Sequence, residues 1–423
     1  MEFDRLSRRQ VLAGAAATAA LGAFGLAGCS PTNTAATTAP SIGKDTEATI
    51  NYVFWDDKQK PAIDKIVAAF NKQYPKITVN ASVVGAKDYW TKLKTGLQGG
   101  GGPDVFWMNG TNFAFYAKNG QLAPYDYDTT IYPKGLVDLY SFGGKTYGAP
   151  KDFDTIGVFY NKKLFQAAGV PLPKAGWTWD DYNSAVEKLT KDGVFGVAAA
   201  PYGQMTYYNT ILAAGGEILS KDGKSVGFDS PEAHKGIQFW LDFINKKQSP
   251  TIQQMTDTWP GNSFGSGQIA MFWDGSWGAS GYAAAAEGAN IDVAPLPVGP
   301  GGNNSCVIHG LGNVVNAKSK SLDAAKAFAA FASGKEAAEI QASTGTVIPA
   351  VNGYQEKWVK SVPAMNLQVF LDAAKTAIPY PAPTNGDAWG PIEGKIITEI
   401  LSGKTELAAG LADMTKQLDA ILN

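Results

Sequence analysis

The chain reads as an α/β protein of two lobes, each a mainly parallel sheet flanked by helices, joined at a hinge. Three observations predict this. Between Thr49 and Trp107 the apolar spacing changes from strand to helix and back, in the order β-α-β-α-β, and such alternation builds a largely parallel sheet covered by helices. Residues 147–169 then combine turn chemistry at Gly148 to Pro150, an apolar and aromatic strand-type run from Ile156 to Tyr160, and a helical segment with Leu164 and Ala168 on one side. That is the pattern of a buried strand opening a new lobe. Finally, the roughly 375 residues that remain after the N-terminal segment are enough to bury two sizeable cores.

The N-terminal segment is of a different kind. Arg5, Arg8 and Arg9 precede an uncharged run from Val11 to Leu26, followed by Leu26-Ala27-Gly28-Cys29. The run is too short and too weakly apolar to span a bilayer, and it reads as a secretion signal (residues 1–28) ending in a lipobox. Cys29 is then the lipidation site, a two-chain anchor on the outer face of the cytoplasmic membrane. Ser7-Arg8-Arg9-Gln10-Val11-Leu12 resembles a twin-arginine export motif, with an ordinary secretory signal as the alternative. Residues 29–46, rich in Ser, Thr, Pro and Ala without apolar periodicity, read as a flexible tether.

The mature chain carries 33 basic and 36 acidic residues. With no basic stripe or run, nucleic acid and anionic membrane surfaces are not expected partners. With Cys29 acylated, Cys306 stands alone, so no internal disulfide forms and the thiol reads as a small buried apolar group.

In chain order, Thr49 to Trp55 predicts a strand, and Pro61 opens a helix whose inner face is Ile63, Ile66, Val67, Phe70 and Tyr74. Ile77, Val79, Ala81 and Val83 alternate as the next strand, and Tyr89, Leu93 and Leu97 form a second helical face. Four glycines, 99 to 102, stop that helix before the strand 103–107; they follow a helix and precede a strand, the wrong order for a phosphate-cradling loop. Past the hinge, Thr178-Trp179-Asp180-Asp181 has capping-box character, with Tyr182, Ala185, Val186 and Leu189 behind it. Ser230-Pro231 opens a helix with Trp240 on its core face. Residues 389–401 and 407–422 read as a terminal helical pair with Ile392, Ile396, Ile397 and Ile400 inward.

Gly157-Val158-Phe159-Tyr160-Asn161 with Phe165 resembles the signature of the family 1 extracellular solute-binding proteins, the capture components of ABC importers, although Lys151 and Ala167 depart from the usual residue types. The Thr178 to Asp181 element, the stretch 264–277, the segment 307–315 and the loop 344–349 are similar to successive elements of the same family. The resemblance implies a two-lobed periplasmic-binding-protein-like fold with a multi-segment hinge. Residues 47–152 and 312–365 would form lobe I, and 153–311 with 366–423 lobe II. It also implies a monomer that delivers its ligand to a membrane permease without a cofactor.

Eleven tryptophans and seventeen tyrosines, several at strand ends or glycine turns, point to a carbohydrate. A pyranose presents C–H groups on its faces and hydroxyls around its edge, and so takes aromatic plates and a polar rim. The candidate plates are Trp55, Trp107, Trp273, Trp277 and Trp389, with Phe153 beside the hinge. The rim candidates are Asp56, Asp57, Asn109, Asp152, Asp154, Asp274 and Asn385. No arginine follows Arg9, which weighs against anionic ligands. The competing classes are an exported glycoside hydrolase and a cell-surface carbohydrate-binding lipoprotein. The sequence-adjacent pairs Asp56-Asp57 and Asp180-Asp181 diverge and make poor catalytic pairs. His234 and His309 are the only histidines, so a His/Cys metal site is not expected. His309 reads as a structural residue of the crossing strand.

Overall fold

Three strands lead the chain, β1 (Ala48–Phe54), β2 (Ile77–Val83) and β3 (Val105–Asn109), followed by the short hairpin β4 (Ser141–Phe142) and β5 (Lys145–Thr146) and then β6 (Gly148–Asp154). Next come β7 (Ile156–Asn161), β8 (Phe195–Val197), β9 (Ile269–Gly275) and β10 (Ile291–Ala294). The chain returns through β11 (Val307–Val315), β12 (Ile348–Pro349) and β13 (Ile378–Pro379). This computed structural model describes residues 42–422, except Thr384 and the side chain of Asp387. The expected signal segment, Cys29 and the tether to residue 41 lie outside the described residues. Residues 42–46, the end of the expected tether, are folded against the body. The Gly43 N–H donates to Thr46 Oγ1 at 2.9 Å, Asp45 pairs with Lys76 at 3.2 Å, and Ile42 packs on the core beside β1.

One sheet has the order β12-β6-β11-β3-β1-β2, with β13 pairing on β11; the other has the order β10-β7-β9-β8. β1 runs parallel to both β2 and β3, as the β-α-β-α-β spacing predicts. The rest corrects the expectation of mainly parallel sheets. β11 is antiparallel to β3 and β6, β12 to β6, and β7 to β9 and β10, so both sheets are mixed. The physical reason is connectivity. A helical crossover between consecutive strands enforces parallel direction, whereas the chain passes from β6 in one sheet to β7 in the other through a single residue and returns from β10 to β11 with no helix between. Only Thr155 separates β6 from β7, and it is fully buried, its Oγ1 donating to the Phe370 carbonyl at 2.8 Å.

The helices form where the apolar spacing placed them. The Lys60–Gln73 helix starts at its proline and buries Ile63, Ile66 and Phe70 against β1, while Val67 is half-buried. The Ala86–Gln98 helix buries Tyr89, Leu93 and Leu97 on the opposite face of the same sheet. Gly100 and Gly102, at φ 76° and 99°, make the left-handed turn that returns the chain to β3. In the second lobe the Trp179–Leu189 helix is closed by the expected box: Thr178 Oγ1 accepts from the Asp181 N–H at 3.2 Å, and the Asp181 carboxylate accepts from the Thr178 N–H at 2.8 Å. Trp240 sits in that core, as its helical position predicts. Ile396, Ile397 and Ile400 of the Gly386–Leu401 helix are buried.

Candidate functional site

A cavity of about 620 Å³ opens between the two sheets. Its first-lobe wall is built at the carboxyl ends of β1 and β3, which present Trp55, Asp56 and Asn109, the position where open α/β sheets place their ligands. Trp55 is braced edge-on by Trp107 (ring centroids 5.0 Å apart, 89°) and Tyr89 (4.9 Å, 76°), with Trp90 beside it at 5.8 Å. Asp56 caps the helical turn Asp57–Gln59, accepting from the Lys58 N–H at 3.0 Å and from Gln59 Nε2 at 2.9 Å.

The second-lobe wall comes from the end of β9 and from two loops. Asp274 ends the strand, and Ser276 and Trp277 follow in a tight helical turn. The Trp277 ring lies against Gly275, where an added Cβ would meet it at 1.9 Å. Trp259, placed by Pro260 at a helix start, packs at a tilt against Tyr202, ring centroids 5.5 Å apart. Trp55, Trp90, Trp259 and Trp277 are all partly exposed on the cavity wall.

The floor is the pair of crossing strands β6 and β11. Lys151 is 2 % exposed; its Nζ lies 4.1 Å from the centre of the Trp107 ring, donates to Gln59 Oε1 at 3.1 Å and pairs with Asp152. The departure from an apolar residue at this position is thus balanced by a cation–π contact and a buried ion pair. Burial raises the Asp152 carboxyl, against the pull of Lys151 and of the Leu311 N–H. Asp154 is raised well above the carboxylate range by burial and by the neighbouring Asp152; Gln204 Nε2 donates to it at 2.7 Å. Asp274 is pushed up to about 6 by burial, although the Tyr282 hydroxyl and the Gly275 N–H both donate to it. Burial lowers His309 to about 4. Aromatic plates on both walls and buried acceptors between them suit a neutral, hydroxyl-rich molecule. Among the described residues no group of His, Cys, Asp and Glu is arranged to hold a metal, and no helix is long and apolar enough to cross a membrane.

Residues 56–339 match the family described as bacterial extracellular solute-binding protein. The chain belongs to this family. This solute-binding protein is 26% identical to the galactooligosaccharide-binding protein of Bacillus subtilis, over 93% of this chain and 91% of that one. It is 28% identical to the arabinooligosaccharide-binding protein of the same organism, over 74% and 73%. Among solved structures, an ABC substrate-binding protein from Listeria monocytogenes in complex with cycloalternan superposes with a TM-score of 0.82 at 26% identity, covering 89% of this chain and 99% of that one. These likenesses show the two-lobed fold, and membership of an extracellular family makes this solute-binding protein an exported one.

Of the residues expected at the site, Trp55, Asp56, Asn109, Asp152, Phe153, Asp274 and Trp277 line the cavity. Four do not, and the expectation is corrected for each. Trp107 is fully buried behind Trp55, on a central strand covered on both faces, and its Nε1 donates to the Tyr52 hydroxyl at 2.6 Å. Trp273 is packed inside the second lobe, 4.9 Å from Trp240. Trp389 faces the same core from its helix and donates to Glu393 Oε2 at 2.9 Å. Asp57 is exposed on the short helical turn, off the cavity. Of the two further rim candidates, Asp154 lines the cavity, while Asn385 donates to the Ile421 carbonyl at 2.6 Å. The sequence reading missed Trp90, Tyr202 and Trp259; His309, read there as a structural residue of the crossing strand, also lines the cavity. Trp90 carried a signal, because it lies one residue and so about 100° off the Tyr89, Leu93, Leu97 stripe. Trp259 carried another, as a large ring just before a helix-starting proline.

Proposed function

We propose that this solute-binding protein captures a neutral mono- or oligosaccharide by closing its two lobes on it, and delivers it to an ABC permease. The observation that carries this is the cleft itself: partly exposed tryptophans on both walls with buried carboxyls between them. Contacts from both lobes are required, since a ligand shifts an open–closed equilibrium only by its difference in affinity for the two forms. The lobes in this proposal are 47–152 with 312–365, and 153–311 with 366–423. The crossing at Thr155 and the run of β11 from the second core (Val307) to the first (Leu311, Val315) support the division. Export with acylation at Cys29, a tether, and a monomeric, cofactor-free, non-catalytic protein complete the reading, supported by the lipobox and by relatives named as binding proteins.

The test is a thermal-shift screen of the body from residue 42 against neutral sugars, polyols, amino acids and phosphate, with product formation followed in parallel. A sugar at a hundred times its dissociation constant adds about 2.7 kcal/mol to folded stability. The expected outcome is a raised midpoint with one neutral sugar class, recovered intact. Cleavage of the sugar, or a shift with another class alone, would overturn the proposal.

A further inference from the structure

We propose that His309 contacts the ligand, its Nε2 accepting a hydrogen bond from one hydroxyl of a neutral sugar while its Nδ1 faces Asp154; this rests on the carbohydrate reading above. His309 sits on β11 directly opposite Asp154 on β6, so the two strands that cross between the lobes carry it. Its ring is 8 % exposed and lines the cavity. Nδ1 lies 3.9 Å from Asp154 Oδ2, too far for a direct hydrogen bond, but the carboxyl is the polar group that the nitrogen faces. A proton on Nδ1 leaves Nε2 as a lone-pair acceptor.

Nε2 is buried and has no partner in the protein. Buried polar atoms are nearly always paired, so an orphan on a cavity wall marks a place where something else supplies the partner. A second orphan lies on the same cavity: Ser276 Oγ, on a side chain 1 % exposed in the turn just after β9. Trp273 Nε1, also unpartnered, makes the contrast, because it is enclosed in the second core and faces no cavity lining. Tyr380 holds the imidazole from outside the cavity, ring centroids 4.9 Å apart, so the ring arrives oriented. Burial keeps it neutral, with its titration down to about 4, which leaves the lone pair available across the neutral range. With Asp274 also accepting, this end of the cleft reads donors, and a sugar edge of free hydroxyls supplies them.

The chain has two histidines, so the protein labelled with 15N at the imidazole nitrogens gives two assignable side chains. His234 is the internal control, off the cavity on the Pro231–Asn245 helix with Nε2 3.0 Å from Asp229. Maltotriose, galactotriose and arabinotriose are added singly. The expected result is that a sugar raising the melting midpoint moves the Nε2 resonance of His309 and leaves that of His234 in place. His309→Ala then weakens that sugar tenfold or more, while His309→Gln, which carries a carbonyl oxygen to the Nε2 position, recovers part of the loss. If a sugar binds without moving the His309 resonance, and binds His309→Ala equally well, the inference fails and the carbohydrate reading stands. If no neutral sugar of the screen above changes the midpoint, both fall. The spectrum of the unaltered protein decides the matter even where a variant does not fold.

Discussion

Asp274 has both carboxyl oxygens occupied and is still held at about 6 rather than 3.8. A carboxyl raised in the folded state binds more protons folded than unfolded, so it costs stability as pH rises from about 4 to about 6, and the cost persists above that. Asp274→Asn keeps an acceptor for the Gly275 N–H and a donor for the Tyr282 oxygen while removing the charge. It is expected to raise folded stability at pH 7.5 by at most about 3 kcal/mol, seen as a higher melting midpoint, and to change little near pH 4. Calorimetry at the two pH values checks this; an equal effect at both would assign the change to the hydrogen bonds. On the proposed carbohydrate reading, the acid is retained at this cost because the cleft uses it as an acceptor. At this scale the sequence was informative for residues in turns. Trp55, Asp56, Asp274 and Trp277 were legible because strand ends and a Gly-Ser-Trp turn expose whatever they carry. Trp107, Trp273 and Trp389 were not, since a strand or helix offers a tryptophan to one layer or the next depending on what packs over it, and that depends on elements far away in the chain.

The turn after β9 is the element on which the second wall depends. Gly275 is there because the Trp277 ring occupies the space a side chain would take, 1.9 Å from an ideal Cβ. Gly275→Ala is expected to expel the ring from its seat, weakening sugar binding at least tenfold with only a modest fall in melting midpoint, since Trp277 is partly exposed and contributes less to the core than Trp273. Titration calorimetry beside a melting curve separates the two; a large loss of stability with binding retained would sink the idea. Helices were the most legible elements. Their inward stripes at Ile63, Ile66 and Phe70, or at Tyr182, Val186 and Leu189, recur at a spacing that only a helix brings to one side. Strand direction was less so, because a strand's sequence carries no record of which way its neighbours run, and only strands joined through helices, β1 to β3 and β8 with β9, inherit a direction from their connections.

At the scale of the whole molecule, closure is a property of two walls joined at the β6–β7 junction and along β11. Solution scattering is expected to show a smaller radius of gyration with a bound sugar. Trp259→Ala removes a plate from one wall only, so residual binding to the opposite wall should persist while the compaction is lost; compaction surviving with full affinity would show that Trp259 is not part of the closing contact. The two-lobed fold was legible before any coordinates because its midchain signature and length sufficed. Its pairing pattern was not, because it joins residues hundreds of positions apart: the Tyr52 hydroxyl donates to Asn313 Oδ1 at 2.8 Å, and β3 gains its second neighbour only from β11. That pairing fixes a timetable for biosynthesis. Roughly 200 residues leave the ribosome between β3 and β11, which at 5–20 residues per second takes on the order of ten to forty seconds. For that interval the nascent chain carries an open, apolar strand edge of the kind that templates aggregation. The edge of β3 is closed only once residue 315 has emerged.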